Sequence, residues 1–228
     1  MSLTLMISVV LTMICLQFLI RKVLFNRNVD LDLSDSFPGE VLYPCDGRLV
    51  YTRMIEGEAY AMKLNEKISI GFLDETCYHI GVYMTPYDRH YVVAPFRGTV
   101  KKIEKVNAGV HLPMLDLFEY ARSGLFLSFN DWFKRKFNSY LKDTEKVVIT
   151  IDSHDYGDFK VILIGDKCVN KIDLFVEEGS EVIRGQKLGF IRRGSQVDLI
   201  FNAENLSKYP KKIGCKITAG DTLGKLER

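Results

Sequence analysis

One eleven-residue frame occurs twice near the end of this 228-residue chain and constrains its fold more than any other feature. Gly179 to Gly189 and Gly214 to Gly224 both read Gly-x-x-(Val/Ile)-x-x-Gly-x-x-Leu-Gly. Glycines set between apolar residues encode short strands joined by tight turns. Such a chain must find partners that cover the apolar side of each hairpin. Ala94-Pro95-Phe96-Arg97-Gly98-Thr99-Val100 has the look of a further hairpin entry.

The body around these frames reads as mainly β, of the α+β kind. Strands are expected at Glu40–Leu42, Gly47–Tyr51, Ala59–Leu64, Ile68–Gly71 and Tyr78–Met84, each closed by turn residues. Val92–Ile103, with Gly98 in its middle, resumes the pattern, and Val147–Ile151, Phe159–Ile164 and Lys171–Val176 continue it. Thr85 to His90 reads as a turn or short helical corner, because Pro86 cannot sit in a central strand. The repeated hairpins resemble the hammerheads of biotinyl/lipoyl-like barrel sandwiches. A carrier domain of that type needs a lysine at a hairpin tip in a Met-Lys-Met or Asp-Lys-Ala context, and none is present.

Composition narrows the function. A hydrophobic fraction of 47% and a mean hydropathy of zero fit a globular body with an apolar attachment. A net charge of +2 gives no footprint for nucleic acid. Cys15, Cys45, Cys77, Cys168 and Cys215 are scattered and odd in number, which favours reduced, mostly buried thiols over a disulfide frame or a zinc site. No metal site is expected.

The attachment is Leu3–Ile20, an uncharged run of 18 residues at the lower limit for a membrane span. Arg21, Lys22 and Arg27 follow it, which puts the body on the cytoplasmic side of a cell membrane. Neither a charged n-region nor a small-x-small cleavage site supports a cleaved signal peptide. Residues 1–27 thus read as an anchor, 28–39 as a polar linker and 40–228 as one domain. Within that domain, residues 114–143 combine aromatic and basic side chains at a rough helical spacing. They are expected to form amphipathic helices, packed on the body or lying at a headgroup boundary.

Between two strands lies Gly194-Ser195, where glycine allows unusual backbone angles at the carbonyl before a hydroxyl. The stretch Gly179 to Asp198, ending Leu-Gly-x-Ile-x-x-Gly-Ser-x-Val-Asp, resembles the C-terminal signature of the phosphatidylserine decarboxylase family, particularly its short branch. Pro44-Cys45-Asp46-Gly47-Arg48-Leu49-Val50 resembles the family's Pro-Ala-Asp-Gly-x-Val motif. Thr85-Pro86-Tyr87-Asp88-Arg89-His90 resembles its Ser-Pro-x-Asp-x-His motif, and Gly109 to Pro113 more loosely a lipid-proximal stretch. The fold implied is a decarboxylase-like β-sandwich with hammerhead hairpins.

The resemblance implies a self-cleaving enzyme. Ser195 attacks the Gly194 carbonyl, the chain breaks between them, and Ser195 becomes a covalent pyruvoyl cofactor. Its ketone would take the amine of phosphatidylserine or archaetidylserine and draw off the electrons released with carbon dioxide. Chains 1–194 and 195–228 would stay associated, in contact with phospholipid and membrane, and homo-oligomers stay open. By the same resemblance Asp46 supports cleavage and His90 handles protons, while His111 and Arg193 are candidates for substrate binding.

Plainer readings stand beside these. Asp46-Gly47 alone would be a hairpin turn; Asp88 closes the turn that aims His90; His79 reads as a satisfied core histidine and His154 as a solvated one. Ser195 lacks the Gly-x-Ser-x-Gly elbow of an ordinary serine hydrolase. Two positions depart from the family pattern. Val93 stands where the long branch has a second histidine (absent also from the short branch), and Arg193 replaces an apolar residue before Gly-Ser. They motivate the alternative, an uncleaved relative that binds phospholipid headgroups.

Overall fold

The computed structural model describes residues 3–25, 27–29, 31, 39–56, 76–85, 87–106, 145–165, 172–192, 195–202, 206–207 and 211–227. One helix, α1 (Leu3–Phe25), precedes the strands. These are β1 (Glu40–Leu42), β2 (Gly47–Glu56), β3 (Thr76–Met84), β4 (Tyr91–Val93), β5 (Gly98–Val106), β6 (Lys146–Asp152) and β7 (Asp158–Ile164). They continue with β8 (Ile172–Leu174), β9 (Glu181–Val182), β10 (Lys187–Ile191), β11 (Ser195–Asn202), β12 (Lys216–Ile217) and β13 (Thr222–Lys225). The body is mainly β, as its patterning predicts. The expected strand through Val92–Ile103 is two strands, because Pro95 lacks the amide hydrogen that a continuous ladder needs.

An antiparallel sheet runs in the order β12-β2-β3-β11-β7-β6-β5-β9. Smaller sheets, β4-β10-β8 and β1-β13, complete the assembly. One face of the long sheet supplies Leu49, Ile80, Val82, Val197, Leu199, Val161, Leu163 and Ile149 to a common core. Val41, Val92, Leu188 and Leu223 from the small sheets join that core. The alternate residues of β3, β11 and β7 point the other way, so a polar side chain there leaves the apolar core intact. His79, Gln196, Asp198 and Lys160 occupy those alternate positions, and all are buried.

The two glycine frames have matching partners. Gly179 and Gly185, with φ of 85° and 81°, correspond to Gly214 and Gly220 at 89° and 88°; this backbone region favours glycine. Gly185 N donates to Ala94 O and Gly179 N to Val100 O, while Gly220 N donates to Tyr43 O and Gly214 N to Leu49 O. Residues 43–49 therefore play for the second frame the part that 94–100 play for the first. The halves also clasp each other reciprocally, Leu42 N to Pro95 O at 2.9 Å and Val93 N to Pro44 O at 2.8 Å. In this correspondence Asp46 takes the place of the exposed Arg97.

Several expectations change. Leu3–Ile20 is helical within α1, but among the described residues no helix is long and apolar enough to cross a membrane. Its uncharged run stops at Arg21 and Lys22. The stretch read as a linker starts against the body: Val29 is buried against Val93 and Ala219, with Leu31 packed on them. Apolar side chains inside an acidic stretch find a groove to fill. Cys45 and Cys77 are buried as expected, whereas Cys15 and Cys215 are exposed. The strands expected at Ala59–Leu64 and Ile68–Gly71, the amphipathic segment 114–143 and Cys168 lie outside the described residues.

Candidate active site

The segment around the Gly-Ser pair is held at both ends by one loop. Ser195, the first residue of β11, is the register partner of Met84, the last residue of β3. On the other side, Ile191 N donates to His90 O at 3.0 Å. Met84 and His90 bound the loop in which Thr85, Asp88 and His90 lie. The loop that ends at His90 is thus joined to the chain at Ile191, before the Gly-Ser pair, and through Met84 at Ser195. Arg193, Gly194 and His111 lie outside the described residues.

Asp88 closes the loop, as expected of it. Its Oδ2 accepts from Thr85 N at 2.8 Å and from Thr85 Oγ1 at 2.6 Å. The carbonyl of Asp88 lies 2.8 Å from His90 Nδ1. A carbonyl can only accept, so Nδ1 carries the hydrogen and Nε2 keeps the basic lone pair. His90 is fully buried, and that burial drives its pKa down to about 4 against the opposing pull of Asp88 and Asp46. Near neutral pH it is an uncharged base.

Asp46 is more than a turn residue. It is buried, and its carboxylate takes Arg89 Nε at 2.6 Å, Arg89 Nη2 at 2.8 Å and Ala219 N at 2.8 Å. Burial alone would raise its pKa, but the Arg89 fork and the Ala219 amide outweigh that and hold it below the usual carboxylate range. Gly47, at φ 154°, brings the backbone against Tyr83 O, where a Cβ would lie only 2.3 Å away. Glycine here seats Asp46 between the loop and the second glycine frame. Val93 is fully buried and its amide is spent on Pro44 O, so it serves the core and the clasp between halves.

A second polar group sits on the other face of the long sheet and escaped the sequence reading. His79 Nε2 lies 2.9 Å from Asp198 Oδ2, and both residues are fully buried. Tyr51 Oη donates to the same oxygen at 2.6 Å, and Gln196 Nε2 reaches Asp198 Oδ1 at 2.7 Å and Tyr51 Oη at 2.9 Å. Arg53 Nε donates to His79 Nδ1 at 3.1 Å, which leaves the imidazole hydrogen on Nε2, aimed at Asp198. A neutral imidazole therefore joins a guanidinium to a carboxylate. Gly81 makes this possible, since a Cβ there would come within 2.3 Å of the Tyr51 ring. His79 is the satisfied core histidine its apolar strand predicts, but its partners are ionic. The signals available were the alternation of Gln196 and Asp198 after Ser195 and a lone glycine inside β3.

A cleft of about 530 Å³ opens beside the loop, lined by Arg27, Asp46, Asp88, Arg89, Lys216 and Thr218 among others. Among the described residues no group of His, Cys, Asp and Glu is arranged to hold a metal ion.

The family model for phosphatidylserine decarboxylase matches residues 16–225. A candidate archaetidylserine decarboxylase proenzyme of Methanopyrus kandleri is 28% identical over 214 residues, covering 93% of this chain and 85% of that protein. A similarly named candidate of Methanothermobacter thermautotrophicus is 34% identical over 63% of this chain and 53% of its own length. A phosphatidylserine decarboxylase proenzyme of Streptomyces coelicolor is 29% identical over 63% and 54%. The chain thus spans only about half of these last two relatives.

Proposed function

Because the chain belongs to the phosphatidylserine decarboxylase family, we propose that it is a membrane-attached, self-cleaving decarboxylase of a phosphoserine lipid, phosphatidylserine or archaetidylserine. The observation that carries this reading is the Met84–His90 loop, which fixes both flanks of Gly194-Ser195 and holds a buried neutral imidazole. Ser195 Oγ attacks the Gly194 carbonyl carbon while His90 Nε2 takes the hydroxyl proton. The peptide C–N bond breaks and an ester forms in its place. Elimination across Cα–Cβ of residue 195 returns Gly194 as a carboxylate. Water then replaces the nitrogen of the resulting dehydroalanine, releasing ammonia and leaving a pyruvoyl group.

The residues fit that outcome. β11 is paired along its length with β3 and β7, so a cut before residue 195 leaves the strand held on both edges. Chain 195–228 also carries the second glycine frame, bonded to residues 43–49 of chain 1–194. The pyruvoyl carbonyl supplies an electrophile for the serine amine and an electron sink for loss of carbon dioxide. Asp46 holds Arg89 and the Ala219 amide, and so the loop and the second frame, in one place. α1, apolar and exposed through Leu5, Ile7, Val10, Leu11, Ile14 and Leu19, is the lipid-facing attachment. Arg21, Lys22 and Arg27 follow its uncharged run, cations suited to the anionic surface on the cytoplasmic side of a cell membrane.

Intact mass of the purified chain tests the reading, with Ser195→Ala as control. Fragments 1–194 and 195–228, the latter with a blocked, carbonyl-reactive N-terminus, are expected from the wild type alone. A single uncleaved chain in both would point instead to the headgroup-binding relative that Val93 and Arg193 motivate.

A further inference from the structure

The cleft beside the loop has a charge pattern that the cleavage chemistry does not use. Asp46 is engaged by Arg89 and Ala219, and Asp88 by Thr85. Arg27 lines the cleft, its Nη2 donating to Tyr87 O at 2.5 Å. Lys216, in β12, also lines the cleft; it is exposed, and no hydrogen bond or ion pair among the described residues holds its ammonium. Its register partner on β2 is Arg48, a further cation. Arg27, Arg89 and Lys216 face two carboxylates, leaving the lining with one surplus positive charge. A phosphodiester carries one negative charge near neutral pH, which matches that surplus.

Position agrees with charge. α1 ends at Phe25, two residues before Arg27, and Asn28 and Val29 then dock on the body, Asn28 bonded to Lys187. Where an exposed apolar helix gives way to cations, a bilayer presents its phosphates. Asp46 and Asp88, which line the cleft, also act on His90 through their charges, so the cleft lies beside the loop that holds the buried imidazole.

We propose that the cleft between Arg27 and Lys216 is the subsite for the phosphodiester of the substrate headgroup, with Lys216 its principal cation. This rests on the decarboxylase reading. The subsite is built from both products of the cut, Arg27 from chain 1–194 and Lys216 from chain 195–228.

The test uses the full chain in mixed micelles, as wild type, Lys216→Gln and Arg27→Gln. Self-cleavage by intact mass should go to completion in all three. Losing one charge-assisted contact should raise KM for phosphatidylserine roughly five- to tenfold with kcat within about twofold. Water-soluble glycerophosphoserine should show the same rise, and inorganic phosphate should compete less well against either variant. An unchanged KM for both substrates overturns the subsite. A rise for the lipid alone, matched by weaker flotation with phosphatidylglycerol vesicles, also overturns it in favour of surface attraction. Titrating glycerophosphoserine into the uncleaved Ser195→Ala chain, with and without Lys216→Gln, reads the cleft without turnover. Binding lost with Lys216→Gln sustains the subsite even if the wild type proves inactive, and equal binding sinks it.

Discussion

His79 Nε2 and Asp198 Oδ2 lie 2.9 Å apart on adjacent strands with neither side chain exposed, three residues beyond Ser195. The pair is one link in a chain from Arg53 through a neutral imidazole to a carboxylate that also takes Tyr51 and Gln196. Asp198 and Gln196 stand after the proposed cut; Tyr51, Arg53 and His79 stand before it. The cluster therefore ties the two proposed fragments together at the head of β11.

Removing one member of a buried ionic cluster strands the others without water. Asp198→Ala should destabilise the protein by about 3–5 kcal/mol, whereas Asp198→Asn, which keeps the size and one acceptor, should cost less. Denaturant unfolding of both variants checks the order. Equal losses would mean that the negative charge, which both variants remove, carries the whole effect.

The pH dependence of stability has a definite sign. Burial lowers the His79 pKa, and partners hold Asp198 below the usual carboxylate range despite its own burial. Both folded values lie below the unfolded ones, so the unfolded chain binds more protons in each window. Stability from His79 is complete above about pH 6.5 and is lost as pH falls toward its depressed value. The Asp198 contribution is lost only below about pH 4. Urea midpoints from pH 8 to 4 should fall in the wild type and fall less steeply in His79→Gln, the remaining slope coming from His90, whose pKa burial also lowers, to about 4.

Gly81→Ala tests the route by which Tyr51 reaches Asp198. The added methyl would meet the Tyr51 ring at 2.3 Å, so the ring must leave its hydrogen bonds or the strands must part. A cost of about 1–3 kcal/mol is expected. Combined with Tyr51→Ala it should cost clearly less than the two singles added together. Additive losses would show that the contact does not couple them.

His90→Gln should slow self-cleavage by roughly 10²–10⁴-fold, the usual contribution of a positioned acid–base. Because burial holds His90 near 4, the neutral form dominates above that value, and the wild-type cleavage rate should stay flat down to about pH 5 before falling. A rate that halves near pH 6.5 would mean an ordinary, solvated imidazole.

Asp46→Asn should uncouple Arg89 and slow self-cleavage at least about tenfold, with a stability loss of about 1–3 kcal/mol for the broken charged bonds. Timed intact mass after expression measures the first and thermal unfolding the second. Unchanged cleavage would reduce Asp46 to its structural bonds.

The linear order of residues was enough for the β-rich body, the paired glycine frames, the family and the sequence position of the Gly-Ser pair. Those are local or repetitive signals: φ-permissive glycines at fixed spacing, apolar alternation, a proline that cannot continue a strand. Folding alone decided that 43–49 and 94–100 are equivalent partners of the two frames. Only a Pro-x-x-Gly is common to them, and the match lies in backbone hydrogen bonds that carry no side-chain signature. It also decided the fate of Asp46 and His79. A carboxylate and an imidazole acquire their chemistry from burial and from partners far away in sequence, such as Ala219 for Asp46 and Asp198 for His79. Pairing at that distance is set by strand register, which a sequence constrains only through the whole sheet at once.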